Sequence, residues 1–314
     1  MAEASPILPA GTLWDRVLTR TEQALQCGAL QSIPTDYELV ADGEMRFLVR
    51  QLAAIARKEK AKQQQEKAKA QGKDFNPFLP YEEDLFVAHL SNTHVCLLNK
   101  FNVVDHHLLM VTRQFEEQEA LLNQADFEAL WVGLREIDGL GFYNGGQRAG
   151  ASQRHKHLQL VPLPLYPTGE PLPISVWVEA IAPDRSPAVL TLPQLPFPHA
   201  LVRLAVPQAD PTAAAQISLE HYQALLAAVG LTPEPESDRP PGAYNLLVTR
   251  DWMLLVPRSQ ESFDSISVNS LGFAGSMFVR DDAQMATLKQ HGPLKILCQV
   301  AQSGSADGGN VKGE

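Results

Sequence analysis

Apolar residues recur at helical spacing in four parts of the chain, which predicts four helices. Thr12 can cap the first of them. Asp126 can cap the second, whose apolar stripe ends before Gly139. The other two helices are predicted over residues 219–229 and 293–300.

Short runs of β-branched and aromatic residues, bounded by turn-forming residues, predict the strands. Three consecutive runs before the second helix indicate an antiparallel meander, and two later runs indicate a hairpin. The predicted strands cover residues 37–40, 45–52, 85–89, 94–101, 106–112, 201–206, 244–249 and 253–256. These elements predict an α+β fold with an antiparallel sheet, flanking helices and a C-terminal α/β lobe.

Proline marks the predicted boundary between two lobes. Ten of the 23 prolines fall within residues 162–198, where they prevent a continuous helix or a central strand. We therefore predict an N-terminal lobe over residues 1–165, a proline-rich connection over 166–198 and a C-terminal lobe over 199–302. Residues 303–314, which contain glycine, serine and lysine, are predicted to form a disordered tail.

The charge balance and the cysteine content narrow the function classes. A net charge of -10 and a pI near 5.4 argue against nucleic-acid and membrane partners, because a polyanion is repelled on average. Cys27, Cys96 and Cys298 lack the paired spacing of a zinc site or a disulfide framework, which suggests a reducing compartment. Since no apolar run reaches the roughly 18 residues that span a bilayer, a cytoplasmic protein is expected.

Basic residues cluster within residues 57–73. Such a run is typical of a solvated segment. A second interpretation is that its start, near Lys58, lines the entrance of a polyphosphate site, because an acidic protein must meet phosphate with a local basic patch.

The stretch 144–159 is a glycine-rich turn that runs into a predicted strand. Alternate side chains on a strand share a face, so His155, His157 and Gln159 are predicted to project together while Leu158 and Leu160 enter the core. Four interpretations fit the two histidines: strand residues without a chemical role, ligands of a metal such as zinc, an acid/base catalyst, or a nucleophile that attacks phosphorus.

The surrounding residues favour the nucleophile. Small residues allow the close backbone approach that a phosphate cradle needs, and neutral donors hold phosphate oxygens without protonating an imidazole. A histidine nucleophile must attack as the neutral base and donate its other ring proton, often to a backbone carbonyl. The small residues are Gly145, Gly146, Gly150 and Ala151, and the donors are Ser152, Gln153 and Gln159.

Two patterns in this stretch resemble the nucleotidyltransferase branch of the histidine-triad superfamily. One is His-x-His-x-Gln, at residues 155–159, and the other is the preceding Asn-x-Gly-x-x-x-Gly-x-Ser, which starts at Asn144. Within that branch the chain resembles the diadenosine tetraphosphate (Ap4A) phosphorylases, also called ATP adenylyltransferases. The segments 76–78, 98–101, 107–109 and 269–275 also resemble this family. The resemblance implies a histidine-triad-like sheet.

The resemblance implies that phosphate cleaves Ap4A to ADP and ATP through an adenylyl-histidine intermediate. It implies that His157 is the nucleophile, that Gln159 holds a nonbridging phosphate oxygen, and that His155 supports the reaction by orientation. Ser276 and Arg280 depart from the methionine and lysine that the family has there. The implied substrate contacts are Lys58, Asn99, Lys100, Asn144, Gly150, Ala151, Ser152, Gln153, Gln159, Asn269, Ser270, Leu271, Ser276 and Arg280.

Other functions fit the same residues. A different histidine-nucleophile transferase, such as a relative of the hexose-1-phosphate uridylyltransferases or a phosphorylase that uses adenylylsulfate, is one alternative. A dinucleoside polyphosphate hydrolase and a noncatalytic module that binds nucleotide or metal are two more. Mg²⁺ enters only as a counter-ion of the substrate, because four linked phosphates carry several charges, and no protein metal site is expected. The resemblance to the Ap4A phosphorylase family implies that the protein is a monomer.

Overall fold

The computed structural model describes residues 8–53, 76–166, 171–181 and 188–301. Within these residues, no helix combines the length and the apolar character that crossing a membrane requires. The α-helices are α1 (Leu13–Cys27), α2 (Gln124–Glu136), α3 (Ser175–Val178), α4 (Pro211–Ala228), α5 (Ser270–Phe273), α6 (Asp282–His291) and α7 (Pro293–Val300).

The strands form two groups along the chain. In the N-terminal half they are β1 (Thr35–Asp42), β2 (Met45–Leu52), β3 (Phe86–His89), β4 (His94–Leu98), β5 (Leu108–Thr112), β6 (Gly139–Gly145) and β7 (His157–Pro162). In the C-terminal half they are β8 (Ala200–Arg203), β9 (Ala243–Val248), β10 (Trp252–Arg258), β11 (Ser262–Phe263), β12 (Ile266–Ser267) and β13 (Ser276–Val279).

One antiparallel sheet of eight strands, in the order β3-β4-β5-β7-β6-β9-β10-β8, organises the fold. It confirms the predicted α+β class and the predicted meander. Because β6 pairs with β9, the sheet runs without a break from the N-terminal into the C-terminal segment. The predicted lobe boundaries stay a prediction, and the tail 303–314 lies outside the described residues.

The two faces of the sheet bury different sets of apolar side chains. Leu246 and Val248 belong to the cluster that contains the apolar faces of α2 and α4, whereas Leu247 belongs to a second cluster, as strand alternation requires. Leu158 and Leu160 lie in the first cluster, which confirms that they enter the core. The polar residues of β7 therefore face away from α2.

The described part of the proline-rich stretch packs against the sheet. Leu172, Ile174 and Trp177 are buried in the second apolar cluster, together with Leu201 of β8 and Phe273 of α5. This segment therefore contributes to the core in addition to connecting the two halves of the chain.

Both predicted helix caps are wrong in detail. Thr12 donates its hydroxyl to the Pro9 carbonyl at 2.7 Å, and the first amide of α1, Leu13 N, donates to the Glu136 carboxylate at 2.7 Å. Helix α2 is capped by Asn123, and Asp126 is the reciprocal partner that accepts the Asn123 amide at 2.8 Å. The first error arises because a tertiary contact with Glu136 satisfies the start of α1. The second arises because Asp126 is the third residue of α2, three positions after the residue that caps it.

Several element boundaries also differ from the prediction. Strand β4 ends at Leu98 and β5 begins at Leu108, so the residues between them form a loop beside the sheet. Helix α4 begins at Pro211, because Asp210 accepts the first amides and proline fits the first turn. The unassigned C-terminal stretch forms α5 and then β13, which pairs in parallel with β2.

Candidate active site

A cavity of about 1170 Å³ lies beside β7, between the loop after β4, the turn after β6 and the segment around α5. Its wall brings together eleven of the residues that the sequence predicts as substrate or catalytic contacts. They are Asn99, Lys100, Asn144, Gly150, Ser152, Gln153, His157, Gln159, Asn269, Leu271 and Ser276.

The remaining predicted site residues do not line this cavity. His155 precedes the start of β7, and its ring bonds to Thr112 outside the cavity wall. The rings of His155 and His157 both contact Phe78, which lines the cavity, so the two histidines project to the same side as predicted. Lys156 between them points to the other side, where it pairs with Asp126. Ala151 and Ser270 do not line the wall, Arg280 is exposed after β13, and Lys58 lies outside the described residues.

The hydrogen bond of His157 fixes its tautomer. Nδ1 lies 2.8 Å from the His155 carbonyl oxygen, so Nδ1 carries the proton and donates it there. Nε2 makes no hydrogen bond to the described residues and keeps its lone pair. Burial lowers the pKa of His157 from 6.5 to about 4. The hydrogen bond to the His155 carbonyl raises this pKa, but its effect is smaller than that of burial. The ring is therefore a neutral base in a cavity wall.

His155 is held from both ring nitrogens. Its Nε2 donates to the Thr112 carbonyl at 2.8 Å, and its Nδ1 accepts from the Asn76 amide at 3.0 Å. Burial lowers the pKa of His155. With its ring fixed, its carbonyl is a stationary acceptor for His157. This geometry supports an orienting role for His155, which stays a prediction.

The amide of Gln159 is oriented by a second histidine that the sequence did not assign to the site. Asn99 Nδ2 donates to His107 Nδ1 at 3.1 Å, which leaves His107 Nε2 to donate to Gln159 Oε1 at 2.9 Å. Burial lowers the pKa of His107 to about 4, so the ring stays neutral and this order of donors holds. Gln159 Nε2 is left to donate into the cavity.

Asn144 is oriented in the same way by buried donors. Its Oδ1 accepts from Ser270 N at 3.0 Å and from Asn245 Nδ2 at 2.9 Å. Asn245 is fixed in turn by Arg258, whose Nη1 donates to Asn245 Oδ1 at 2.5 Å. Since the oxygen of Asn144 is occupied by protein donors, its Nδ2 is the group available to a ligand.

The turn after β6 needs glycine where it meets the C-terminal segment. Gly150 has a φ of 87°, and a Cβ there would lie 2.8 Å from the Val268 carbonyl oxygen. This close approach places the backbone around Gly150 against Asn269. It explains why two segments more than a hundred residues apart form one wall.

Positive charge in the described wall comes from two residues. Lys100 is paired with Glu82 at 2.6 Å near the surface. Arg50 of β2 donates from Nη2 to the Leu165 carbonyl at 2.6 Å, and its buried Nε has no partner among the described residues. Arg50 could be noticed in the sequence as a basic residue within an apolar strand, but its direction into the cavity could not be predicted.

Residues that could hold a metal ion do not cluster in the described ranges, where no group of three or more histidine, cysteine, aspartate or glutamate side chains is suitably placed. The wall that is present offers a neutral imidazole nitrogen together with two amide N–H groups. These groups suit attack on a phosphorus atom whose nonbridging oxygens accept hydrogen bonds.

Comparison with models of known protein families identifies the family of this chain. The family model of the Ap4A phosphorylase N-terminal domain matches residues 3–180, and that of the ATP adenylyltransferase C-terminal domain matches residues 193–303. The chain belongs to the Ap4A phosphorylase family. Membership in the Ap4A phosphorylases confirms the resemblance inferred from the histidine motif. The gap between the two matches falls within the predicted proline-rich connection.

Two yeast proteins are similar to this Ap4A phosphorylase family member. Diadenosine 5',5'''-P1,P4-tetraphosphate phosphorylase 2 of Saccharomyces cerevisiae is 28% identical over 240 residues, which cover 68% of this chain and 72% of that protein. Protein APA1 of the same organism is 27% identical over 201 residues, which cover 59% of this chain and 61% of that protein.

Solved structures of a yeast Ap4A phosphorylase, Apa2, share the fold. The crystal structure of Apa2 aligns with a TM-score of 0.74 at 24% identity, covering 94% of this chain and 95% of that one. The structure of Apa2 in complex with Ap4A aligns with a TM-score of 0.74 at 22% identity, covering 95% and 99%.

Proposed function

We propose that this protein cleaves Ap4A with phosphate, giving ADP and ATP, through an adenylyl group carried on His157. The observation that carries the proposal is the neutral Nε2 of His157 in the cavity wall, with the proton of the ring held on Nδ1 by the His155 carbonyl. The name of the similar yeast phosphorylase and the family matches support Ap4A as the substrate.

In the first step, His157 Nε2 attacks the phosphorus next to one adenosine. The bond from that phosphorus to the bridging oxygen breaks, and ATP leaves with the electron pair. The imidazole gains positive charge as the bond forms, and the His155 carbonyl, 2.8 Å from Nδ1, stabilises that charge. Asn144 Nδ2 and Gln159 Nε2 donate to nonbridging oxygens, where negative charge is held in the transition state.

In the second step, a phosphate oxygen attacks the adenylyl phosphorus. The phosphorus–nitrogen bond breaks, ADP forms, and His157 returns to its neutral state. Asn99 and Lys100, in the loop after β4, line the cavity and are proposed to contact the nucleoside. Arg50 also lies in the wall. A Mg²⁺ ion is proposed only as a counter-ion that accompanies the polyphosphate.

Product analysis tests phosphorolysis directly. Purified protein incubated with Ap4A is expected to form ADP and ATP in equal amounts, at a rate that rises with phosphate concentration. Labelled phosphate should appear in ADP, because phosphate is the second nucleophile. Formation of AMP and ATP without dependence on phosphate would identify a hydrolase, in which water replaces phosphate in the second step.

The pH dependence of the first step follows from the low pKa of His157. Protonation below about pH 4 places a proton on Nε2 and removes the lone pair, so kcat/KM for Ap4A should fall only as the pH drops towards 4. The measurement is kcat/KM for the dinucleotide across the acid range, because Ap4A carries no terminal phosphate that titrates near neutrality. An acid limb near 6.5 would contradict burial of the nucleophile.

A further inference from the structure

Strands β6 and β7 separate at the point where the proposed nucleophile lies. Their ladder runs from the pair Gly139 and Pro162 to the pair Phe142 and Gln159. Two residues further, the same register would pair Asn144 with His157. That pair does not form, although both residues still belong to their strands.

The side chain of Gln118 fills this gap. Its Oε1 accepts from the His157 amide at 2.9 Å, and its Nε2 donates to the His157 carbonyl at 3.2 Å and to the Asn144 carbonyl at 3.0 Å. One side-chain amide therefore replaces the backbone bonds that a neighbouring strand would have made. It satisfies the backbone groups of His157 that point towards β6.

The backbone of Gln118 is fixed as firmly as its side chain. Its amide donates to the Arg154 carbonyl at 2.7 Å, and its carbonyl accepts the Tyr143 hydroxyl at 2.5 Å. The residue is 2% exposed, so water does not compete for these bonds. The position of Gln118 is therefore set independently of any ligand.

We propose that Gln118 is a positioning residue that holds the strand end bearing His157 apart from the strand end bearing Asn144. If β6 continued to pair with β7, the two backbones would approach to about 4.8 Å, and the cradle would close over the nucleophile. The inserted amide keeps a fixed opening. His157 Nε2 and Asn144 Nδ2 can then reach the same phosphate group from two sides. The proposal rests on the proposed function.

Attack on phosphorus requires both groups to be placed accurately at the same time. A misplacement of about 1 Å can reduce a rate by about 10²-fold even when the substrate still binds. Gln118 does not line the cavity and makes no contact with substrate in this proposal. Its loss should therefore affect kcat more than KM.

The test compares Gln118→Met with the wild-type protein in the phosphorolysis assay. Methionine has a similar length but removes both hydrogen-bonding atoms, so kcat should fall by about 10²-fold while KM for Ap4A changes little. Gln118→Asn is the second variant, because it keeps the amide but is one methylene too short to reach both strand ends. It should show the same separation of kcat from KM, which decides the question if the methionine variant does not fold.

Ser218→Ala is the matched control for loss of a buried polar contact. Ser218 is fully buried and accepts the Trp131 indole N–H at 2.7 Å, on the other side of the sheet. This variant should lose thermal stability and keep its kcat. If folded Gln118 variants keep wild-type kcat, or lose it only as Ser218→Ala does, the positioning role is wrong. Absence of phosphorolysis in the wild-type protein would instead overturn the proposed function.

Discussion

Replacing His157 with alanine is expected to lower kcat for phosphorolysis by about 10⁴-fold or more. The substitution removes the lone pair that forms the bond to phosphorus in the proposed mechanism, and no other imidazole nitrogen in the described cavity wall is free to replace it. His107 is the other histidine in that wall, and both of its ring nitrogens are engaged, by Asn99 and Gln159. The measurement is the initial rate of ADP and ATP formation from Ap4A.

His221→Ala is the matched control. His221 lies on α4, outside the cavity wall, so its removal should leave the rate unchanged. Denatured wild-type protein that was mixed with labelled Ap4A should carry an adenylyl group, and the His157→Ala protein should carry none. A His157→Ala variant with the wild-type rate would eliminate this residue as the nucleophile.

Replacing Asn144 with aspartate should lower kcat/KM for Ap4A by about 10³-fold, because it removes a donor and places a negative charge beside the phosphates. The shape of the side chain is kept. The carboxylate can still accept the bonds from Ser270 N and Asn245 Nδ2, so the wall around it should remain intact. Steady-state kinetics with thermal unfolding of the same sample separate the loss of activity from a loss of stability.

Asn123→Asp is the matched control, because it adds the same charge at a residue that does not line the cavity. Asn123 caps α2 only by accepting the Ala125 and Asp126 amides, which aspartate also does. This variant should keep the wild-type kcat/KM. Equal effects of the two substitutions would show that Asn144 acts through overall charge and not through its donor.

The sequence identified the elements whose evidence is local. Strand alternation placed Leu158 and Leu160 in the core, and the apolar stripe of α2 predicted a buried helix. The motif placed His157 and Gln159 in one wall because both belong to the same strand. A pattern contained in a few consecutive residues needs no knowledge of distant segments.

Errors arose where a distant residue changes the local outcome. The first amide of α1 is satisfied by Glu136, which is 123 residues away. His155 projects to the same side as His157 but lies outside the cavity wall, because Asn76 and the Thr112 carbonyl hold its ring there. Alternation along a strand predicts neither contact, because both partners come from other parts of the fold.

The sequence by itself determined the family, and it predicted the chemistry of the motif and the side chains that carry it. Only the tertiary structure decided how these side chains are oriented. The amides of Asn144 and Gln159 point their N–H groups into the cavity because Asn245 and His107 occupy their oxygens. An amide can donate or accept, and which end meets the ligand depends on partners that only folding brings within hydrogen-bond distance.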